Sequence, residues 1–188
     1  MRDKLIKYFD ITIFRLLPLI IIPLILQNCI SVTPTSLKTG KNYFETFYAG
    51  DEGTQYFIKP IVFKNENSKE EFILDLTFRY KNEVVDSVIV NFSINSSNMY
   101  KNIDSLIMSG NGIKRSNKYL ELIYFEKTKN GFRSRYSTKY SLKEIKEIFI
   151  KDKLQVIVYN QNNISSFEPT KKSLRVINLI RDNVFVIM

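Results

Sequence analysis

The side chains that most often do chemistry are scarce in this chain. It has no histidine and a single cysteine, Cys29, so the commonest general base and zinc ligand is missing and at most one thiol is present. Carboxylates and serines, including a Ser–Lys pairing, are what remain. Asp51-Glu52-Gly53 is the densest acidic spot, and its place between Tyr48 and Tyr56 reads as a turn. Asp75 and Asp86 fall in or beside strand-like segments on their polar side, and Asp104 lies in a polar connection; each has lysines nearby to pair with. No spacing forces two carboxylates together as an acid and a base. No glycine-rich phosphate loop or calcium-loop pattern occurs, so no cofactor or metal is expected. Asn91-Phe92-Ser93, Asn95-Ser96-Ser97 and Asn163-Ile164-Ser165 match the glycan acceptor triplet, a match that arises readily by chance in a chain rich in Asn and Ser.

The one distinctive chemical group is Cys29, because of what precedes it. Arg2, Lys4, Lys7 and Arg15 outweigh Asp3 and Asp10, and an apolar run from Leu16 to Leu26 follows. A charged start and a core of about 7–15 apolar residues are the parts of a secretory signal. The run is about half the length needed to span a bilayer, and Pro18 and Pro23 interrupt it. Reading residues 11–26 as an uncleaved anchor instead would place Arg15 inside the membrane, which is costly.

Leu26-Gln27-Asn28-Cys29 resembles the bacterial lipoprotein signal, with Leu26 three residues before the cysteine. It departs from the usual pattern at Gln27 and Asn28, where small residues are the rule. The resemblance covers the signal alone and implies that Cys29 becomes the lipidated first residue of the mature chain. The sequence therefore divides into a signal peptide, residues 1–28, a lipidated tether, residues 29–42, and one mostly-β domain, residues 43–188. The residues after Cys29 contain no nearby acid to suggest inner-membrane retention, so a periplasm-facing attachment to the outer membrane is expected. The alternative is that Cys29 merely ends a signal or anchor as an apolar residue.

Fourteen Phe and eleven Tyr, with no Trp, favour strands. With Cys29 lipidated no disulfide is left, so the domain must hold by burial and backbone pairing. Segments 55–64, 72–80 and 84–94 carry strand-length apolar patterns, separated by hairpin-length breaks at 65–68 and 81–83. Residues 95–117 read as an irregular connection. Asn130-Gly131 predicts a two-residue hairpin turn, with Lys129 facing Phe132, Phe125 facing Tyr136 and Glu126 facing Arg135. Ser141-Leu142-Lys143-Glu144 has the form of a capping box, followed by Leu142, Ile145, Ile148 and Phe149 at helical spacing up to about Lys151. Residues 154–159 return to a strand, and 170–181 suit a helix, with Leu174, Ile177 and Ile180 inward, better than a strand. The fold class is mainly β (α+β): an antiparallel sheet or sandwich with one or two packed helices.

The chain carries a net charge of +9, and its basic residues gather in places. Lys114, Arg115 and Lys118 precede the hairpin, Arg133, Arg135 and Lys139 line its polar face, and Lys171, Lys172 and Arg175 lie near the C-terminus. If the last two groups converge, they form a patch for an anionic lipid, a lipopolysaccharide phosphate or an acidic envelope protein. Nucleic acid is not an expected partner of an exported chain. The sequence thus favours a non-enzymatic, lipid-anchored binding or structural module, an immunity-type protein being a narrower form. The alternative is a periplasmic hydrolase with a carboxylate or serine site, which a deep pocket holding two or more acids would favour.

Overall fold

The computed structural model describes residues 43–188 except 82, 83, 86, 111, 150–152, 162 and 187. The expectations placed on the signal peptide, Cys29, the tether, Asp86 and the helix end at Lys151 fall outside the described residues.

The strands are β1 (Phe44–Tyr48), β2 (Thr54–Lys64), β3 (Glu71–Lys81), β4 (Val84–Val85), β5 (Ser87–Ser96), β6 (Ser105–Gly110), β7 (Ile113–Asn117), β8 (Glu121–Thr128), β9 (Gly131–Ser141), β10 (Gln155–Asn160) and β11 (Asn163–Pro169). A 3-10 turn, Gly50–Glu52, joins the first two. Helix α1 (Leu142–Phe149) follows β9, and α2 (Lys171–Ile180) follows β11 and runs into a π-helical turn, Arg181–Phe185. The strands form one antiparallel sheet in the order β7-β6-β10-β11-β2-β3-β5-β9-β8, with β1 added on β2 and β4 on β3. The sheet curls: Asn117 Nδ2, at one end of that order, donates to Lys139 O at 2.7 Å, and Thr138 Oγ1 donates to Tyr119 O at 2.8 Å.

Period-two alternation places the core on the concave side. Phe72, Leu74, Leu76 and Phe78 of β3, with Val88, Val90, Phe92 and Ile94 of β5, are buried. Rings pack from strand to strand across β2, β3, β5 and β9, through Phe63–Phe72 (6.0 Å between centroids), Phe72–Phe92 (5.0 Å) and Phe92–Tyr136 (5.4 Å). Each such pair adds about 0.5–1.5 kcal/mol beyond its buried area. The helices close the core with Ile145, Ile148 and Phe149 from α1 and Val176, Ile177 and Ile180 from α2. In β2 the register shifts between Ile58 and Ile61, so both point inward around Lys59-Pro60. Pro60, which has no N–H to give, stands where β2 changes neighbours, from β1 at Ile58 to β11 at Phe63.

Three readings need correction. Residues 95–117 are not an irregular connection: β6 and β7 form a hairpin within them, with Leu106 and Met108 buried in β6. The β8–β9 turn lies one residue earlier than predicted, at Lys129-Asn130. Its closing pair is Thr128 with Gly131, so Glu126 faces Arg133, and Phe125 faces Ser134. In α2 the inward set is Ser173, Val176, Ile177 and Ile180, while Leu174 is exposed. β1 and β11 are strands that the apolar patterning does not predict.

Candidate functional site

The chemically densest point in the fold is the Glu70 carboxyl group, only 6% exposed. Glu70 ends the β2–β3 loop, which is tied by Asn67 N donating to Asn65 Oδ1 at 2.9 Å and by Glu70 N donating to Ser68 Oγ at 3.3 Å. Around the carboxyl, Oε1 lies 2.5 Å from Ser96 Oγ and 3.1 Å from the Tyr100 hydroxyl. Oε2 lies 3.2 Å from Asn65 Nδ2 and 3.3 Å from Ser165 Oγ. Tyr100 and Ser165 are themselves 2.6 Å apart. These two hydroxyls have two protons between them for three contacts. Asn65, Ser96 and one member of the pair therefore donate to Glu70 together, while the other member supplies the first. Burial, helped by the charge of Glu70, pushes the Tyr100 phenol up to about 12, which keeps it a donor.

The cluster joins the β2–β3 loop, the end of β5, the connection at Tyr100 and β11, and it floors a cleft of about 880 Å³ at this end of the sheet. Lys69, Asn95, Ser96, Asn130, Phe132 and Arg133 line the cleft. Phe132 stacks on Phe125 at 5.4 Å, and Lys101 Nζ sits 4.7 Å from the centre of the Phe125 ring. Arg133 is aimed by its Nε donating to Asn95 Oδ1 at 2.9 Å and by Glu126 at 3.6 Å. Gly131 lets the hairpin come this close: it has a φ of +140°, and a Cβ there would fall 2.3 Å from Ser96 O. Glu71 also borders the cleft. It follows Glu70 in an extended segment, so it points to the other side of the sheet, and it pairs with Lys64 at 3.5 Å.

The basic residues expected to form an anionic-partner patch are divided between two places. Arg133, Arg135 and Lys139 alternate along the convex side of β9. Arg135 is engaged there with Asp75 at 2.8 Å and Ser93 at 3.1 Å, and Asn91 donates to Asp75 at 3.2 Å. Lys171, Lys172 and Arg175 belong to α2, whose inward residues enter the core on the concave side against β2 and β11. β3 and β5 lie between β2 and β9, a separation of about 15 Å. Of the six residues, Arg133 alone borders the cleft. Arg115 is clipped to α1 by Glu147 at 2.5 Å.

Ser96 and Ser165 stand out in the sequence only within triplets of glycan-acceptor form, and Glu70 and Tyr100 not at all, although a signal for their burial exists. Glu70 continues the inward series Phe72, Leu74, Leu76 by one step, Ser96 continues Phe92 and Ile94, and Ser165 shares its side of β11 with Phe167. A polar residue next in phase with a buried run is a candidate for burial with partners.

No family model, no curated protein and no solved structure matches this chain. Among the described residues, no group of three or more Cys, Asp or Glu side chains is placed to hold a metal ion. No helix among them is long and apolar enough to cross a membrane.

Proposed function

We propose that this chain is a lipid-anchored binding module of the cell envelope. Cys29 holds it to the outer membrane, facing the periplasm, and the cleft above Glu70 receives part of another envelope component. The observation that carries the binding role is the construction of the cleft: a polar floor fixed by the hydrogen bonds to Glu70, with Phe132 and Arg133 in its wall. A side chain held in one geometry before binding loses little freedom on binding. Lys69 and Arg133 offer cationic contacts at the rim for an acidic group of the partner, such as a protein carboxylate or a lipopolysaccharide phosphate, beside the carboxylates of Glu70 and Glu71. An immunity-type role, in which the partner is an incoming toxin, is a narrower form of the same reading.

Binding is favoured over hydrolysis by the state of the two acids at the cleft. Glu70 already accepts hydrogen bonds from neutral neighbours on both oxygens, and Glu71 turns away from it to Lys64. They do not form an acid–base pair across a substrate-sized gap.

The reading is tested by a photo-crosslinking residue placed at Asn130 on the cleft rim, with Lys172 on α2 as the comparison, in cells making the full chain. A discrete adduct at Asn130 that is absent at Lys172 and lost with R133E is the expected result. Equal labelling at both positions would contradict a partner site at the cleft.

A further inference from the structure

The end of the sheet away from the cleft has a feature that packing does not require. Phe47 is 56% exposed, Phe57 40% and Ile89 39%. Phe47 and Phe57 meet edge to face, with centroids 6.4 Å apart. The registers place Glu45, Phe57, Thr77, Ile89 and Lys139 in one row across the convex side of β1, β2, β3, β5 and β9. The apolar groups therefore share one surface. Its charges are largely paired: Lys59 with Glu45 at 2.8 Å, and Arg79 with Glu52.

From this we infer that the Phe47–Phe57–Ile89 surface rests in the headgroup region of the bilayer that carries the anchor; the inference builds on the proposed lipidation of Cys29. Aromatic rings among paired charges, with a long lysine at the margin, suit the membrane–water boundary. Covering the exposed parts of both Phe rings there removes apolar surface from water. The path of the chain argues for this occupant. Lys59 N donates to Tyr43 O at 2.8 Å, fixing the chain's entry beside Phe57. Residues 30–42 join that point to Cys29, and thirteen residues reach about 45 Å at most. The β1–β2 edge is thus the part of the domain tied most directly to the lipid.

The cleft lies at the opposite end of the strands. The row Lys64, Glu71, Asn95 and Arg133, which borders the cleft, lies six residues along β3 from the Phe57–Thr77–Ile89 row, or about 20 Å.

The chain has no tryptophan, so F47W and F57W each introduce a single reporter at an exposed position. Y124W, at the 38% exposed Tyr124 on β8, is the control. The lipidated full chain is reconstituted in phosphatidylethanolamine–phosphatidylglycerol vesicles, with and without brominated acyl chains. With the ring about 5–10 Å into the interface, emission of F47W and F57W should shift to the blue and fall about twofold with brominated lipid. Y124W should stay unchanged. Protein that floats with the vesicles while F47W is quenched no more than Y124W overturns the inference and leaves the anchor intact. A blue shift without bromine quenching, which would mean a second copy or a protein covers the surface, overturns it too. Protein that fails to float, with Cys29 unmodified, overturns the anchor and the inference together.

Discussion

Glu70 shows how one polar residue can organise several segments. It is 6% exposed, and its side-chain partners, Asn65, Ser96, Tyr100 and Ser165, are all neutral; Asn65, Ser96 and one of the other two donate to it. Glu70→Ala would leave these donors facing an empty volume, and we expect a loss of about 3 kcal/mol, or roughly 6–12 °C in melting temperature by calorimetry. Glu70→Gln keeps the volume but turns an NH₂ group toward donors, and should cost about half as much. Tyr100 gives the cluster a pH dependence. Its phenol is raised from 10 to about 12 in the fold, chiefly by burial. The folded state therefore favours the protonated form, and that contribution is complete below pH 10 and lost as pH rises through about 12. Denaturant midpoints between pH 9 and 12 should fall more steeply for the wild type than for Tyr100→Phe, and phenolate absorbance should lose one late-titrating group in that variant. The inward phase of Glu70, Ser96 and Ser165 was legible in the alternation of the strands. Which of these residues meet was not, because Ser165 reaches Glu70 from ninety-five residues away in sequence.

At the scale of elements, local signals succeeded where the chemistry was local. Ser141 N donates to Glu144 Oε2 at 2.9 Å and Glu144 N to Ser141 Oγ at 3.2 Å, the reciprocal pair that the capping box predicts. The Ser141 contact holds the Glu144 carboxyl below its ordinary range. Ser141→Ala should cost about 1 kcal/mol in chemical denaturation. The hairpin was found but misregistered. An Asn-Gly pair suggests a glycine inside the turn because glycine tolerates positive φ, whereas here the positive φ falls on Gly131 just after the turn. A second irregularity, the register shift between Leu122 and Tyr124, changes the pairing farther along β8 and has no composition of its own. Gly131→Ala meets both the φ of +140° and the 2.3 Å approach to Ser96 O. It should destabilise the fold by about 2–4 kcal/mol and loosen the cleft, measured as faster amide exchange at 128–133. The β6–β7 hairpin escaped notice because β7 is a short edge strand whose charged residues, Lys114 and Arg115, resemble a loop.

For the whole molecule, the antiparallel, mainly β architecture with two packed helices follows from the alternating aromatic segments and the two amphipathic ones. The strand order does not. The contacts of β10 with β6 and of β11 with β2 join segments far apart in sequence, and nothing in either partner's composition selects the other. What the order achieves is a sheet with two chemically different ends, the Glu70 cleft at one and the exposed Phe47–Phe57 pair at the other. The division of the basic residues between β9 and α2 likewise became visible only in three dimensions. The function proposed for this arrangement depends first on an anchor at Cys29. The most direct measurement is the intact mass and membrane partitioning of the full chain expressed in a Gram-negative host, wild type beside Cys29→Ala. The expected result is a mature chain that begins at Cys29, carries acyl groups and sediments with outer membrane, all lost in the variant. An unacylated mass beginning at another residue, with the variant behaving like wild type, would contradict it.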